Sequence, residues 1–373
     1  MEEDPGGVAA TPRGGRSAQG RRRYLPALIG LALAAVLGGV AGGLIVKATW
    51  SSDNDNGANG TASDGKAASC DAASVADRAL PTVVTVKAGS GQGASTGSGV
   101  VIRSGGYVLT NNHVVAPGAG SGAVSILRGD GESVDATIVG RDPVTDLAVI
   151  KAKDASGLSA TRVGKSSSVH VGEPVIAIGS PLGLASTVTS GIVSAVDRYV
   201  RVPSDNGGTA HLVGAVQTDA SINPGNSGGA LEDCAARLVG INTAGASVPN
   251  SGGGSIGLGF AIPVDFAQRI AKELIGQGTV TRPSLGMQVQ AIPEEARQTG
   301  GAAGLYVQAV TPSGAAEKAG LRVGDVIGEV DGEPASDADA LIVKTLTMKA
   351  GDTLRVKYER DGSSHTTVVT LRR

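Results

Sequence analysis

The chain has 373 residues, a length that suits two or three domains plus non-domain segments. Its formal charge of −2 (32 basic against 34 acidic residues) argues against a nucleic-acid binder held by phosphates, and four His with two Cys exclude a Cys/His-rich zinc protein. Gly supplies 58 residues without the collagen period, while aromatics amount to five Tyr, two Phe and one Trp, so the core must be built from Val, Ile, Leu and Ala. That composition favours β-structure with many Gly turns over large helix bundles.

Residues 1–24 carry almost no large apolar side chains and read as a disordered cytoplasmic tail. Residues 25–46, LPALIGLALAAVLGGVAGGLIV, hold no charge. As a helix they reach about 33 Å, enough for a hydrocarbon core of about 30 Å. A cleaved signal peptide competes, but its apolar region usually runs only about 7–15 residues. An uncleaved single-pass anchor is expected. The Arg residues before the span place the N-terminus in the cytoplasm and the bulk of the chain outside. Residues 47–72 form a flexible linker.

From 73 to 280, short apolar or alternating runs separated by Gly-rich turns predict an all-β barrel or sandwich. The string GSGQGASTGSG (89–99) reads as a solvent loop, since it lacks the strand-to-helix setting of a nucleotide loop. Residues 264–278 show helical spacing at Val264, Ala267, Ile270, Ala271, Leu274 and Ile275, with Gly276 and Gly278 as a stop. A short linker then leads to 283–373, a small α+β module. It contains a helix-like segment, Asp337 to Lys349, and a terminal hairpin.

The sharpest chemical signal is Gly225-Asn226-Ser227-Gly228-Gly229. Glycines around a Ser free backbone N–H groups to converge on a developing oxyanion. The string also satisfies G-x-S-x-G, but an α/β-hydrolase elbow needs a helix after the Ser and a later His. The only later His is His365, in the terminal hairpin, so that reading fails on order. A nucleophilic Ser needs a base held by a carboxylate. His113 ends a strand-like run, whereas His170 and His211 sit in turn-rich, surface-like segments. Asp146 directly precedes an alternating strand; Asp142 and Asp219 are rivals that spacing alone leaves open. The order His, Asp, Ser is that of the two-barrel chymotrypsin-like fold.

Four motifs in sequence, TNNHVV, DPVTDLAVIK, QTDASINPGNSGGAL and GLGFAIP, resemble the HtrA/Deg family of serine proteases. PSLGMQV and GLRVGDVIGEVDG resemble its PDZ domain. The resemblance implies a mostly β fold: a chymotrypsin-like double barrel, then one PDZ domain. It implies His113 as general base, Asp146 as its orienter and Ser227 as nucleophile. The oxyanion donors would be the N–H groups of Gly225, Asn226 and Ser227. A small apolar S1 pocket would be walled by Ile222 and Ala246. It further implies an endopeptidase for misfolded or signal-marked proteins, with no metal or cofactor, commonly trimeric. The PDZ groove, with Ser284, Leu285, Gly286 and Met287 as its carboxylate loop, would take C-terminal peptides. A chaperone-like or peptide-binding module with secondary hydrolysis is the competing function.

Cys70 and Cys234 are the only two cysteines, so one intramolecular pairing is available. Both lie on the outer side of the expected anchor, where disulfides persist. A bond across 164 residues is worth about 5 kcal/mol at most in the loop-entropy model.

Overall fold

The computed structural model describes residues 70–120, 122–181, 186–205, 207–243, 255–293 and 303–372. The expected tail and anchor, and the linker up to residue 69, lie outside the described residues. Among the described residues no helix is long and apolar enough to cross a membrane.

Six strands close the first barrel: β1 (Val83–Ala88), β2 (Ser95–Arg103), β3 (Tyr107–Thr110), β4 (Val124–Leu127), β5 (Ser133–Asp142) and β6 (Leu147–Ala152). They run in the order β1-β2-β3-β6-β5-β4. Six more close the second: β7 (Pro174–Gly179), β8 (Thr187–Pro203), β9 (Thr209–Thr218), β10 (Ala230–Asp233), β11 (Leu238–Thr243) and β12 (Gly259–Pro263). Their order is β10-β11-β12-β9-β8-β7.

The near-continuous apolar runs follow from strands buried on both faces. In β7, Val175 and Ala177 fill the second barrel while Ile176 and Ile178 face the seam between the barrels. In β6, Ala148 and Ile150 fill the first barrel while Leu147 and Val149 face that seam. Val, Ile, Leu and Ala suffice because each barrel interior is narrow. Helix α3 (Val264–Gln277) joins the seam core through Val264, Ala267, Ile270, Ala271 and Leu274. Its C-cap Gly278 has φ +73°, and the Gly278 N–H donates to the Leu274 carbonyl at 2.9 Å.

Three local expectations change. The Gly-rich string 89–99 is not wholly a solvent loop: β2 begins at Ser95, and Ser98 is fully buried. His113 lies in a single helical turn, α2 (Asn112–Val115), directly after β3. His211 is not a surface residue but a buried one in β9, its Nδ1 2.8 Å from the Tyr199 hydroxyl. An α-helix, Ala72–Ala79, precedes β1, with Asp71 as its N-cap and Val75 in the seam core. Cys70 and Cys234 are bonded, with Cα atoms 5.0 Å apart, which fastens that segment to the β10–β11 turn.

The C-terminal unit is an antiparallel sheet of β13 (Met287–Ala291), β14 (Leu305–Val310), β15 (Val326–Val330), β17 (Thr353–Arg360) and β18 (Ser363–Thr370), in that order. The short β16 (Glu333–Pro334) pairs with β15. Among the described residues, helices α4 (Ala315–Lys318) and α5 (Ala338–Thr347) accompany the sheet. Asp337 caps α5 by accepting from the Asp339 N–H at 2.9 Å. Strand β13 is an edge strand, and α5 packs near it.

Glu232, in β10, is fully buried. Its Oε1 lies 3.4 Å from the Thr161 hydroxyl and its Oε2 has no hydrogen-bond partner. Burial, with the neighbouring Asp233 charge, pushes its carboxyl up to about 8. The folded chain therefore keeps a proton that the unfolded chain releases near 4.5. Between those pH values the native state binds more protons, so stability falls as pH rises, by up to about 1.4 kcal/mol per unit. Glu232→Gln should remove that slope. Urea unfolding of parent and variant at pH 5 and pH 8 checks it; equal slopes would refute the assignment.

Candidate active site

The loop between β5 and β6 carries a carboxylate into the seam. Asp146 is 2% exposed and sits at φ +55°, a left-handed conformation that Asp tolerates better than most residues. Its Oδ2 lies 2.9 Å from His113 Nδ1, and its Oδ1 accepts the His113 backbone N–H at 3.0 Å. Its carbonyl accepts from the Asn112 N–H at 3.1 Å and from Asn111 Nδ2 at 2.8 Å. Thr243 Oγ1 donates to Oδ2 at 3.4 Å. A carboxylate acceptor at Nδ1 requires the proton there, which leaves His113 Nε2 as an unprotonated acceptor in the neutral ring. His113 is about one-third exposed, so that nitrogen belongs to a side chain reachable from solvent.

Asp142, the rival acid, shapes the same loop. It is buried, accepts from the Val144 N–H at 3.2 Å and takes the Thr145 hydroxyl and the Arg282 guanidinium. Asp219, the other rival, holds the Ile192 N–H at 2.7 Å in the second barrel. The outer half of the β8–β9 hairpin also grips the loop: His211 N–H donates to the Val144 carbonyl at 2.8 Å, and the Ser204 hydroxyl to the Pro143 carbonyl at 3.2 Å. Asp205 at the hairpin tip accepts from Asn112 Nδ2 at 2.8 Å and pairs with Arg141. On the same hairpin Arg201 reaches Asp339 of α5 at 2.7 Å.

The nucleophile turn arrives from the second barrel. Gly225 sits at φ +97°, where a Cβ would collide with the Pro181 ring; Gly228 sits at φ +82°. Ser227 is buried. Its turn meets the helix of His113 over Gly97: a Cβ there would lie 2.7 Å from the Val114 side chain and 3.1 Å from the Ser227 carbonyl. The Gly228 N–H donates to the carbonyl of Asn242 at 2.9 Å, and Asn242 is the neighbour of Thr243. The structure thus brings His113, Asp146 and the Ser227 turn to one place. One expected oxyanion donor is corrected: the Asn226 N–H is spent on the Asn223 carbonyl at 2.9 Å, closing the turn.

Ile222 is buried in the second-barrel core, against Gly259. Ala246 lies outside the described residues. His170 is exposed beside Glu173, and His365 stacks on Tyr358 in the last hairpin. In the C-terminal unit Ser284 N–H donates to the Arg372 carbonyl at 2.7 Å, and Ser284 Oγ accepts the Gly286 N–H at 2.9 Å. Leu285 is buried in the sheet core, Gly286 is left-handed at φ +67°, and Met287 opens β13. Sequence reading missed Thr243 and Arg282. Thr243 ends the buried strand β11 with no motif of its own, and Arg282 sits in a linker whose only visible feature was its length.

Models of a trypsin-like peptidase domain and of a PDZ domain match residues 97–241 and 283–371. The serine protease PepD of Mycobacterium tuberculosis is 42% identical over 308 residues, which cover 80% of this chain and 65% of the relative. The periplasmic serine endoprotease DegP of Escherichia coli K12 is 39% identical over 270 residues, or 71% and 54% of the two chains. Among solved structures, the HtrA-type protease AlgW with decapeptide is 34% identical with a TM-score of 0.63, covering 81% of this chain and 98% of that one. The chain spans less than two thirds of the length of these curated relatives.

Arg282 and Asp142 form one coupled unit, so their variants should not add. Arg282→Gln and Asp142→Asn should each destabilise by about 1–3 kcal/mol. The double variant should fall short of their sum by at least about 0.5 kcal/mol. Urea titration of the four proteins measures the coupling, and strict additivity would contradict it.

Proposed function

Since the chain belongs to the HtrA/DegP family of trypsin-like serine proteases with one PDZ domain, we propose that it is a serine endopeptidase. In this reading it cleaves misfolded or signal-marked proteins outside the cytoplasm. The carrying observation is the His113 Nδ1 to Asp146 Oδ2 bond of 2.9 Å beside the Gly225–Gly229 turn.

The chemistry follows from the tautomer. Asp146 keeps the proton on Nδ1, so His113 Nε2 takes the Ser227 hydroxyl proton as Oγ attacks the substrate carbonyl. The C–O bond forms as the carbonyl π electrons move to oxygen. The N–H groups of Gly225 and Ser227 are the donors assigned to that oxyanion. His113 then returns the proton to the leaving amine, and water repeats the sequence to release the acyl group.

A homotrimer and anchoring through residues 25–46 belong to the same reading; the anchor rests on the uncharged length of that run. The PDZ unit is assigned the capture of C-terminal peptides between the edge strand β13 and α5, by strand addition. The HtrA-type protease AlgW is solved with a decapeptide, which supports peptide binding by this architecture.

Full-length protein should degrade casein, and Ser227→Ala and His113→Ala should each abolish that activity with folding intact. Asp146→Asn should cost about 10⁴-fold in rate, because the ring is then held in the wrong tautomer. Near-parental turnover by His113→Ala would refute the assignment.

The S1 pocket is assigned to Ile222 and Ala246, with no Asp to pair a basic P1 side chain. Profiling of cleavage products should return Val, Ala or similar residues at P1. Lys or Arg there would overturn the pocket assignment while leaving the triad untouched.

A further inference from the structure

Ser98 lies in β2 of the first barrel, in the stretch whose sequence reads as a solvent loop. It is 0% exposed. Four hydrogen bonds leave it for four other positions in the fold. Its N–H donates to the Ser227 carbonyl at 2.8 Å. Its hydroxyl donates to the Gly225 carbonyl at 2.6 Å and accepts the Ser180 N–H at 2.7 Å. Its own carbonyl accepts the Thr110 hydroxyl at 2.6 Å, three residues before His113.

Two of those bonds end on the nucleophile turn, on either side of Asn226. The Ser180 N–H is a donor, so it occupies an Oγ lone pair and the hydroxyl proton must point at Gly225. The Gly225–Asn226 peptide is therefore held from both edges: its carbonyl by Ser98 and its N–H by the Asn223 carbonyl. The next peptide is held by the Gly229 N–H on the Asn226 carbonyl at 2.9 Å, and the Ser227 carbonyl by the Ser98 N–H. With these planes fixed, the direction of the Ser227 N–H is fixed. The approach is close enough that a Cβ on Gly228 would collide with the Ser98 carbonyl and the Thr110 hydroxyl.

Resting on the reading of Ser227 as nucleophile, we infer that Ser98 is a positioning residue for peptide hydrolysis. Its hydroxyl and N–H set the nucleophile turn so that the oxyanion donors are in place before substrate arrives, and its carbonyl ties that turn to the strand leading to His113. It acts through Gly225 and Ser227 and touches no substrate. Preorganised donors contribute more to the transition state than to ground-state binding. Loss of the Ser98 hydroxyl therefore acts on kcat and leaves KM alone.

Thr85 supplies the control. Its hydroxyl donates to the Ser180 carbonyl at 2.7 Å and so belongs to the same buried cluster, but it has no bond to the nucleophile turn. Parent, Ser98→Ala, Thr85→Val and Ser227→Ala are compared as full-length proteins. They are assayed on a chromogenic peptide with Val at P1, by fluorophosphonate labelling, by inhibition with a peptide boronate and by thermal melting. Removing one direct oxyanion donor costs about 10²–10³ in kcat, so removing its positioner should cost about 10–100-fold. KM should stay within about twofold, and boronate affinity should fall in step with kcat/KM. Thr85→Val should lower the melting temperature and keep kcat within about twofold. If Ser98→Ala does not fold, Ser98→Cys replaces it, with an intermediate loss in kcat expected from a weak S–H donor. A folded Ser98 variant with parental kcat overturns the inference, as does an equal kcat loss in Thr85→Val. A parent that fails to label at Ser227 overturns the nucleophile reading itself; a labelled parent with an unaffected Ser98 variant overturns this inference alone.

Discussion

A carboxylate taken out of water needs donors on every side, and the site is arranged around meeting that need for Asp146. Its side chain receives the His113 backbone N–H, the His113 ring and the Thr243 hydroxyl. An unpaired carboxylate at this depth would cost several kcal/mol. The same bonds that remove that cost also determine where the imidazole stands and which of its nitrogens is protonated. Solvation of one acid and orientation of one base are a single event here.

That event requires two barrels. The acid and the base come from the first, and the Ser227 turn and Thr243 come from the second. Alternation along β6 and β7 sends one set of side chains into each barrel and the other into the shared seam. The seam core, closed by α3, sets the relative position of the halves. Polar contacts also cross it. Ser98 with Ser227, Gly225 and Ser180, and Thr243 with Asp146, are such crossings.

The acid loop also has contacts that reach beyond its own barrel. Asp142 takes Arg282 from the linker after α3, and Val144 takes the His211 N–H from the β8–β9 hairpin. The same hairpin reaches α5 through Arg201 and Asp339, and Arg269 of α3 donates to the Leu346 carbonyl of α5 at 2.8 Å. A cavity of about 310 Å³ separates α3 from the end of α5, with Thr145 and Arg282 in its wall. The element that flanks the assigned peptide groove is thus linked, through few side chains, to the loop that carries Asp146.

Local sequence determined much of this. Period-2 apolar runs with Gly turns specify strands, the 264–278 spacing specifies α3, and a Gly-flanked Ser, a lone His after a strand and an Asp before one mark the chemical positions. Those features depend on neighbours within a few residues, so they are visible in one dimension. Partners far apart in the chain are not. The Asn226 N–H could be judged only once the turn had closed on Asn223, and His211 only once β9 had been buried. Asp142, Asp146 and Asp219 are alike as letters; they separate when Arg282, His113 and Ile192 arrive from 140, 33 and 27 residues away. Ser98 sat in a Gly-rich string of loop-like composition, and only closure of both barrels surrounded it with three bonded segments, the nucleophile turn, Ser180 and Thr110. Sequence specifies what each segment can form; packing decides which polar atoms meet, because a hydrogen bond depends on distances that only the folded chain defines.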